Sequence, residues 1–177
     1  KKDKIDYLIN QVEKKDHFVV YCGDGKLFDD NSDEEIRHIQ FVKNHLSKLG
    51  YKASQFTATE DINRRMQLVE MFNDSEIDAL VAIRCLDEGI NIPSIKSALI
   101  LASNDDYREF VQRRGRILRK YPNKKSADIY DVVVLPSSST QKLALIELRR
   151  YYEYAKLAIN KEDVLDKLNN LLNEYNL

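Results

Sequence analysis

Along the chain, short apolar runs rich in β-branched residues alternate with stretches in which apolar residues recur at helical spacing. The runs fall at 18–22 (Phe-Val-Val-Tyr-Cys), 53–56, 79–83, 98–102 and 129–135. They are continuous rather than alternating, which predicts strands buried on both faces, as in a parallel sheet built from βα units. Between them, 33–49 repeats apolar residues at Ile36, Ile39, Val42 and Leu46 and stops at Gly50. A second helix is predicted over 60–72, capped by Thr59 or Asp61, with Ile62, Met66, Val69 and Met71 on its inner face, and a third over 107–118. A helical pattern is already under way at Ile5, Leu8, Ile9 and Val12.

Two stretches break this rhythm. The segment 23–32 contains Gly23, Gly25, Asp24, Asp29 and Asp30 and predicts a long surface connection. After Pro136 the chain is helix-forming with no further strand, and Leu143, Ile146, Leu148, Tyr151, Tyr152, Tyr154, Leu157 and Ile159 supply apolar surface. The expected organisation is an α/β domain over 1–136 and a helical extension over 137–177.

A chain of 177 residues, 43% hydrophobic and 32% charged, holds one such domain and an appendage. The net charge of −1 conceals a local imbalance: Arg108, Arg113, Arg114, Arg116, Arg119, Lys120, Lys124 and Lys125 are opposed in their stretch only by Glu109. A polyanionic partner is therefore compatible with a near-neutral total. Cys22 and Cys85 lie among apolar residues, which fits buried thiols in a reducing compartment, and the three histidines show no metal-ligand spacing, so no metal site is expected. No apolar run reaches the length of a membrane span and no secretory signal opens the chain, so the expected setting is cytoplasmic. The absence of an initiator Met before a helix predicts a piece of a longer protein.

The strongest local signal is Gln112-Arg113-Arg114-Gly115-Arg116-Ile117-Leu118-Arg119. Arginine presents a planar, permanently charged fork suited to phosphate oxygens. At helical spacing Gln112, Arg116 and Arg119 share one face, with Arg113 off that row. Composition alone leaves open a second reading, a solvated basic face.

These eight residues resemble motif VI of superfamily 2 helicases, Q/H-R-x-G-R-x-x-R, with every fixed position present. The order along the chain agrees: 18–23 resembles motif IV, Phe56-Thr57-Ala58-Thr59 the TAT-like segment that follows, and 79–93 motif V, so the likeness covers about 17–135. The resemblance implies a RecA-like α/β fold with a parallel central sheet, the second motor domain of an ATP-dependent nucleic-acid helicase or translocase. It also implies a partnering N-terminal RecA-like domain of the same polypeptide, which would hold most of the ATP and its Mg²⁺. In that family the last two motif VI arginines reach the ATP γ-phosphate, which assigns Arg116 and Arg119 as arginine fingers and places Gln112 near the γ-phosphate or attacking water. Arg113 is assigned a structural role. Gly89 and Asn91 are implied on the nucleotide side, and Ile83 and Arg84 on the nucleic-acid backbone.

Tyr21, Cys22 and Gly23, with Thr57 and Thr59, close two other strands and offer N–H and O–H groups to a nucleic-acid backbone. Helix capping by Thr59 and a plain turn at Gly23 are the competing readings. Many DEAD-box proteins carry Thr-Asp where Ile83-Arg84 stands and His where Gln112 stands. These departures resemble DNA translocases and restriction-type helicases, so DNA is expected over RNA. The string Gly23-Asp24-Gly25-Lys26 lacks the spacing of a phosphate-binding loop, and Asp87-Glu88 follows its strand too late for a Walker B pair. With neither Walker motif, this chain alone is expected not to hydrolyse ATP. The alternative function is a non-catalytic nucleic-acid-binding or docking module that keeps the motor fold.

Overall fold

The computed structural model describes residues 5–13, 16–29, 34–83, 90–102, 107–135 and 141–175. Its centre is a five-stranded sheet in the order β4-β5-β1-β6-β7, formed by Phe18–Tyr21 (β1), Ala53–Phe56 (β4), Ala79–Ala82 (β5), Ser97–Ile100 (β6) and Asp128–Asp131 (β7). Every pairing is parallel, with Val19 beside Leu80 on one side and Ala98 on the other. Burial follows position: β1, β5 and β6 are buried throughout, whereas the edge strands β4 and β7 are largely half-buried. Continuous apolar runs therefore mark the three inner strands, as expected where helices cover both faces.

Alternate residues of each strand feed two cores. Phe18, Val20 and Cys22 join Ile39, Val42 and Leu46 of α2 (His38–Lys48) and Ile5 and Ile9 of α1 (Ile5–Asn10). Val19 and Tyr21 join Leu68 and Phe72 of α3 (Ile62–Asn73) and Ile117 of α4 (Tyr107–Ile117). Gly50, with φ of 88°, ends the α2 turn in the left-handed conformation that a Cβ disfavours.

Three expectations need correction. Within the presumed surface connection, Lys26–Asp29 (β2) pairs antiparallel with Glu34–Arg37 (β3), so α2 begins at His38 and Ile36 belongs to a strand. The inner face of α3 is led by Leu68 and Phe72, with Val69 and Met71 packed partly buried beside them as expected, while Ile62 and Met66 are 65% and 57% exposed. The last strand stops at Asp131, since the 132–135 segment lies past the register of β6.

After β7 the chain forms α5 (Gln141–Ala155) and α6 (Lys161–Glu174), and α5 packs on both α4 and α6. Ala144, Leu148 and Ala155 are its buried apolar positions and Arg150 and Glu153 its buried charged ones, whereas Leu143 and Tyr152, with Leu157 and Ile159 just past its end, are exposed. No helix among the described residues is long and apolar enough to cross a membrane.

Candidate nucleotide and nucleic-acid site

Helix α4 buries Phe110, Arg113 and Ile117, one stripe at helical spacing, against the sheet. That stripe fixes the rotation of the helix and turns Gln112, Arg116 and Arg119 outward, Gln112 and Arg119 exposed and Arg116 half-buried. The Arg116 guanidinium donates to the Ile90 carbonyl at 2.6 Å, and Arg119 donates to the Asn91 side-chain oxygen. The two outer arginines thus lie along the 90–93 segment, the end of the stretch that resembles motif V. A Cβ at Gly115 would meet nothing within 4 Å, so the helix surface at that position is open.

Arg113 is built differently. It is 3% exposed, its guanidinium lies 4.5 Å from the centroid of the Tyr21 ring, and it donates to the Ala102 carbonyl at 3.4 Å, with Glu109 3.9 Å away. Arg114 turns to the opposite side and donates to the backbone carbonyl of Glu153 on α5, whose carboxylate lies 3.5 Å away and also accepts from Lys156 at 2.7 Å.

The strand-end positions share the rim formed by the carboxyl ends of β1, β4 and β5. Gly23 is half-buried, and a Cβ there would come within 3.3 Å of the Ala102 Cβ, so the glycine allows β1 and β6 to close tightly at this rim. Tyr21 and Cys22 point their side chains into the two cores, and the Cys22 N–H donates to the Ala82 carbonyl at 2.8 Å. Burial pushes the Cys22 thiol up, keeping it neutral. These two residues therefore hold Gly23 in place, with the Cys22 backbone N–H engaged within the sheet.

Thr57 is buried and donates its hydroxyl to Glu60 Oε2 at 2.6 Å, the same carboxylate oxygen that accepts its N–H. Thr59 is exposed, and its hydroxyl pairs with that of Thr57 at 2.6 Å. Asp61, not Thr59, caps α3, accepting from the Arg64 N–H. Ile83 is half-buried against the first core. Arg84 and Gly89 lie outside the described residues.

Arg150, on α5 and apart from the arginine row of α4, is held inside the fold. Arg150 is 3% exposed and donates to Asp131 Oδ2 at 2.8 Å and Glu147 Oε2 at 2.7 Å. Burial works against its charge, but the two carboxylates prevail and hold the guanidinium more firmly protonated than usual. Burial likewise raises the Tyr154 hydroxyl, so the tyrosine is packed as a neutral ring. Sequence reasoning missed Glu60, Glu153 and Lys124. Lys124 donates to the carbonyls of Ile117 (2.6 Å), Arg119 (3.0 Å) and Pro93 (3.0 Å). Its one sequence signal was Tyr121-Pro122-Asn123-Lys124, a turn signature with Pro second and Asn third.

Residues 1–121 match the model of the helicase conserved C-terminal domain. The chain is 36% identical over 64 residues to the DNA 3'-5' translocase XPB2 of Sulfurisphaera tokodaii, covering 36% of this chain and 15% of that protein. It is 31% identical over 75 residues to the ATP-dependent RNA helicase RhlB of Psychromonas ingrahamii, covering 42% of this chain and 18% of that protein. The match thus spans less than a fifth of the length of either relative. Among solved structures, the C-terminal domain of the DEAD-box protein Dbp5 superposes with a TM-score of 0.61 at 13% identity, over 94% of this chain and 88% of that one. At that identity the likeness is one of fold, the RecA-like arrangement of a parallel sheet between helical layers.

Proposed function

The chain belongs to the helicase conserved C-terminal domain family of superfamily 2, and from that premise we propose that it is the second motor domain of an ATP-dependent helicase or translocase acting on DNA. The observation that carries this reading is the pairing of Arg116 with the Ile90 carbonyl and of Arg119 with the Asn91 amide. Both acceptors are neutral. A phosphate oxygen makes a charge-assisted bond roughly twice as strong, so it draws these side chains off their resting partners. The donor set therefore fits a triphosphate presented by a preceding RecA-like domain, with Arg116 and Arg119 as arginine fingers, Gln112 at the water or γ-phosphate, and Asn91 and Gly89 on the nucleotide side. The preceding domain would hold Mg²⁺, which would supply charge neutralisation at the phosphates. An arginine finger contributes roughly 10³- to 10⁵-fold in rate by offsetting charge on the transferred phosphoryl group.

The nucleic-acid backbone runs over the rim of the sheet in this reading. Half-buried Gly23 and exposed Thr59 face the backbone, Thr57 braces the turn through Glu60, and Ile83 and Arg84 are assigned to the same path. Such contacts grip a strand without reading its sequence. DNA is proposed over RNA because Gln112 and Ile83-Arg84 depart from many DEAD-box proteins in the direction of DNA translocases, and because the DNA translocase of S. tokodaii shares the higher identity of the two relatives. The domain is assigned to 1–136, with 137–177 as a helical extension, and a cytoplasmic setting fits the buried free thiol of Cys22.

ATP turnover of the full-length protein, measured alone and with single-stranded DNA, duplex DNA and RNA, tests the proposal. Stimulation by DNA above RNA is expected. Equal or greater stimulation by RNA overturns the substrate, and no stimulation by any polymer overturns the motor in favour of a docking module.

A further inference from the structure

We infer that Lys124 is a positioning residue for ATP hydrolysis, a staple that keeps the arginine-bearing end of α4 in register with the 90–93 segment while Arg116 and Arg119 change partners. The inference rests on the motor reading above and deepens it.

The chain delivers this lysine by a tight turn. Pro122 sits at its second position, Asn123 at its third with φ of 63°, and the Lys124 N–H closes it on the Tyr121 carbonyl at 3.1 Å. A positive φ at the third position is the mark of a type II turn, and asparagine tolerates it better than most residues. The turn folds Lys124 back over the end of the helix it has just left.

Two of its acceptors, the carbonyls of Ile117 and Arg119, belong to that end, where a helix leaves carbonyls unsatisfied and carries partial negative charge. Those two bonds alone would make Lys124 a helix cap. The third bond, to the Pro93 carbonyl at 3.0 Å, crosses to the segment on which Arg116 and Arg119 rest. Three side chains of the 116–124 stretch therefore tie it to residues 90–93, at Ile90, Asn91 and Pro93.

The three ties differ in what happens on catalysis. Arg116 and Arg119 must release Ile90 and Asn91 to reach a phosphate, whereas Lys124 bonds backbone carbonyls that take no part in the chemistry. When the arginines leave, the Lys124 bonds persist and fix where the helix end lies relative to the nucleotide-side loop. A displacement of about 1 Å at a catalytic group can cost roughly a hundredfold in rate, so this constraint acts on turnover more than on ATP binding.

The test uses the full-length protein with Lys124→Met, which keeps most of the stem and removes the donors, and Lys124→Arg, which keeps charge and donors. Nucleic-acid-stimulated kcat is expected to fall roughly tenfold or more in Lys124→Met, with KM for ATP within about twofold and substantial recovery in Lys124→Arg. If the methionine protein melts below the assay temperature, Lys124→Gln is measured in its place with the same expectation. A kcat within twofold of wild type, or a loss that matches the loss of folded protein with no recovery in Lys124→Arg, overturns the inference. Absence of stimulation in the wild type contradicts the motor reading itself, whereas a stimulated wild type beside an unimpaired variant contradicts only the role of Lys124.

Discussion

The guanidinium of Arg113 lies 4.5 Å from the centre of the Tyr21 ring, which joins the first strand of the sheet to the helix that carries the outer arginines. Tyr21 is 1% exposed and Arg113 3%, so the stacked pair is part of the second core. Through it, the rotation of α4 is set from the centre of the sheet.

Replacing Arg113 should therefore act on stability before chemistry. Arg113→Ala removes the stacked plane and the bond to the Ala102 carbonyl and leaves a cavity, at a cost of about 2–4 kcal/mol. Arg113→Lys should recover only part of this, because an ammonium lacks the flat face that stacks on a ring. Urea unfolding midpoints of the three proteins measure the order, and equal midpoints for wild type and Arg113→Ala contradict the structural role.

The two apolar rows of α3 make a paired test. Leu68→Ala, at a site 2% exposed, should cost about 2–5 kcal/mol, whereas Ile62→Ser, at a site 65% exposed, should change stability by less than about 0.5 kcal/mol. The same unfolding assay decides it, and the reverse order would restore the face expected from the sequence.

That face shows where sequence reasoning reached its limit. Ile62, Met66 and Val69 form one helical row and Leu68 and Phe72 another, and period alone does not choose between them. The choice is tertiary, since Phe72 and Leu68 meet Phe56 and Leu80 in one core. The three inner strands were legible because apolar residues run continuously where both faces are covered. The hairpin of Lys26–Asp29 with Glu34–Arg37 was not, because the glycines just before it and its own carboxylates carry the composition of a loop. At the site, the shared face of Gln112, Arg116 and Arg119 was readable from spacing, whereas a structural role for Arg113 came from the resemblance to motif VI. Lys124 was hidden among eight basic residues, because its partners are backbone carbonyls brought together only by the fold.

Asp16 gives the chain an acid-sensitive contact. Burial works against its charge, but hydrogen bonds and charge from Lys96 and His17 outweigh that, holding its carboxyl below the usual carboxylate range. A depressed folded-state value means the contact stabilises fully above the unfolded carboxyl pKa, about 4, and is lost as pH falls through the folded value. The side chain is 45% exposed, so the effect should stay within about 1 kcal/mol and shrink with salt. The stability gap between wild type and Asp16→Asn, followed from pH 7 to below pH 4, should narrow on the acid side. A gap independent of pH contradicts the assignment.

The central claim is that Arg119 leaves Asn91 to complete an ATP site shared with another domain. Its most direct test is nucleic-acid-stimulated ATP hydrolysis by the full-length Arg119→Ala protein, with ATP affinity measured in parallel. Because Arg119 is exposed and bonded to a side chain at the surface, its removal should leave the fold intact. Turnover is predicted to fall by roughly a thousandfold or more with affinity for ATP largely retained. Turnover at the wild-type rate would contradict the account.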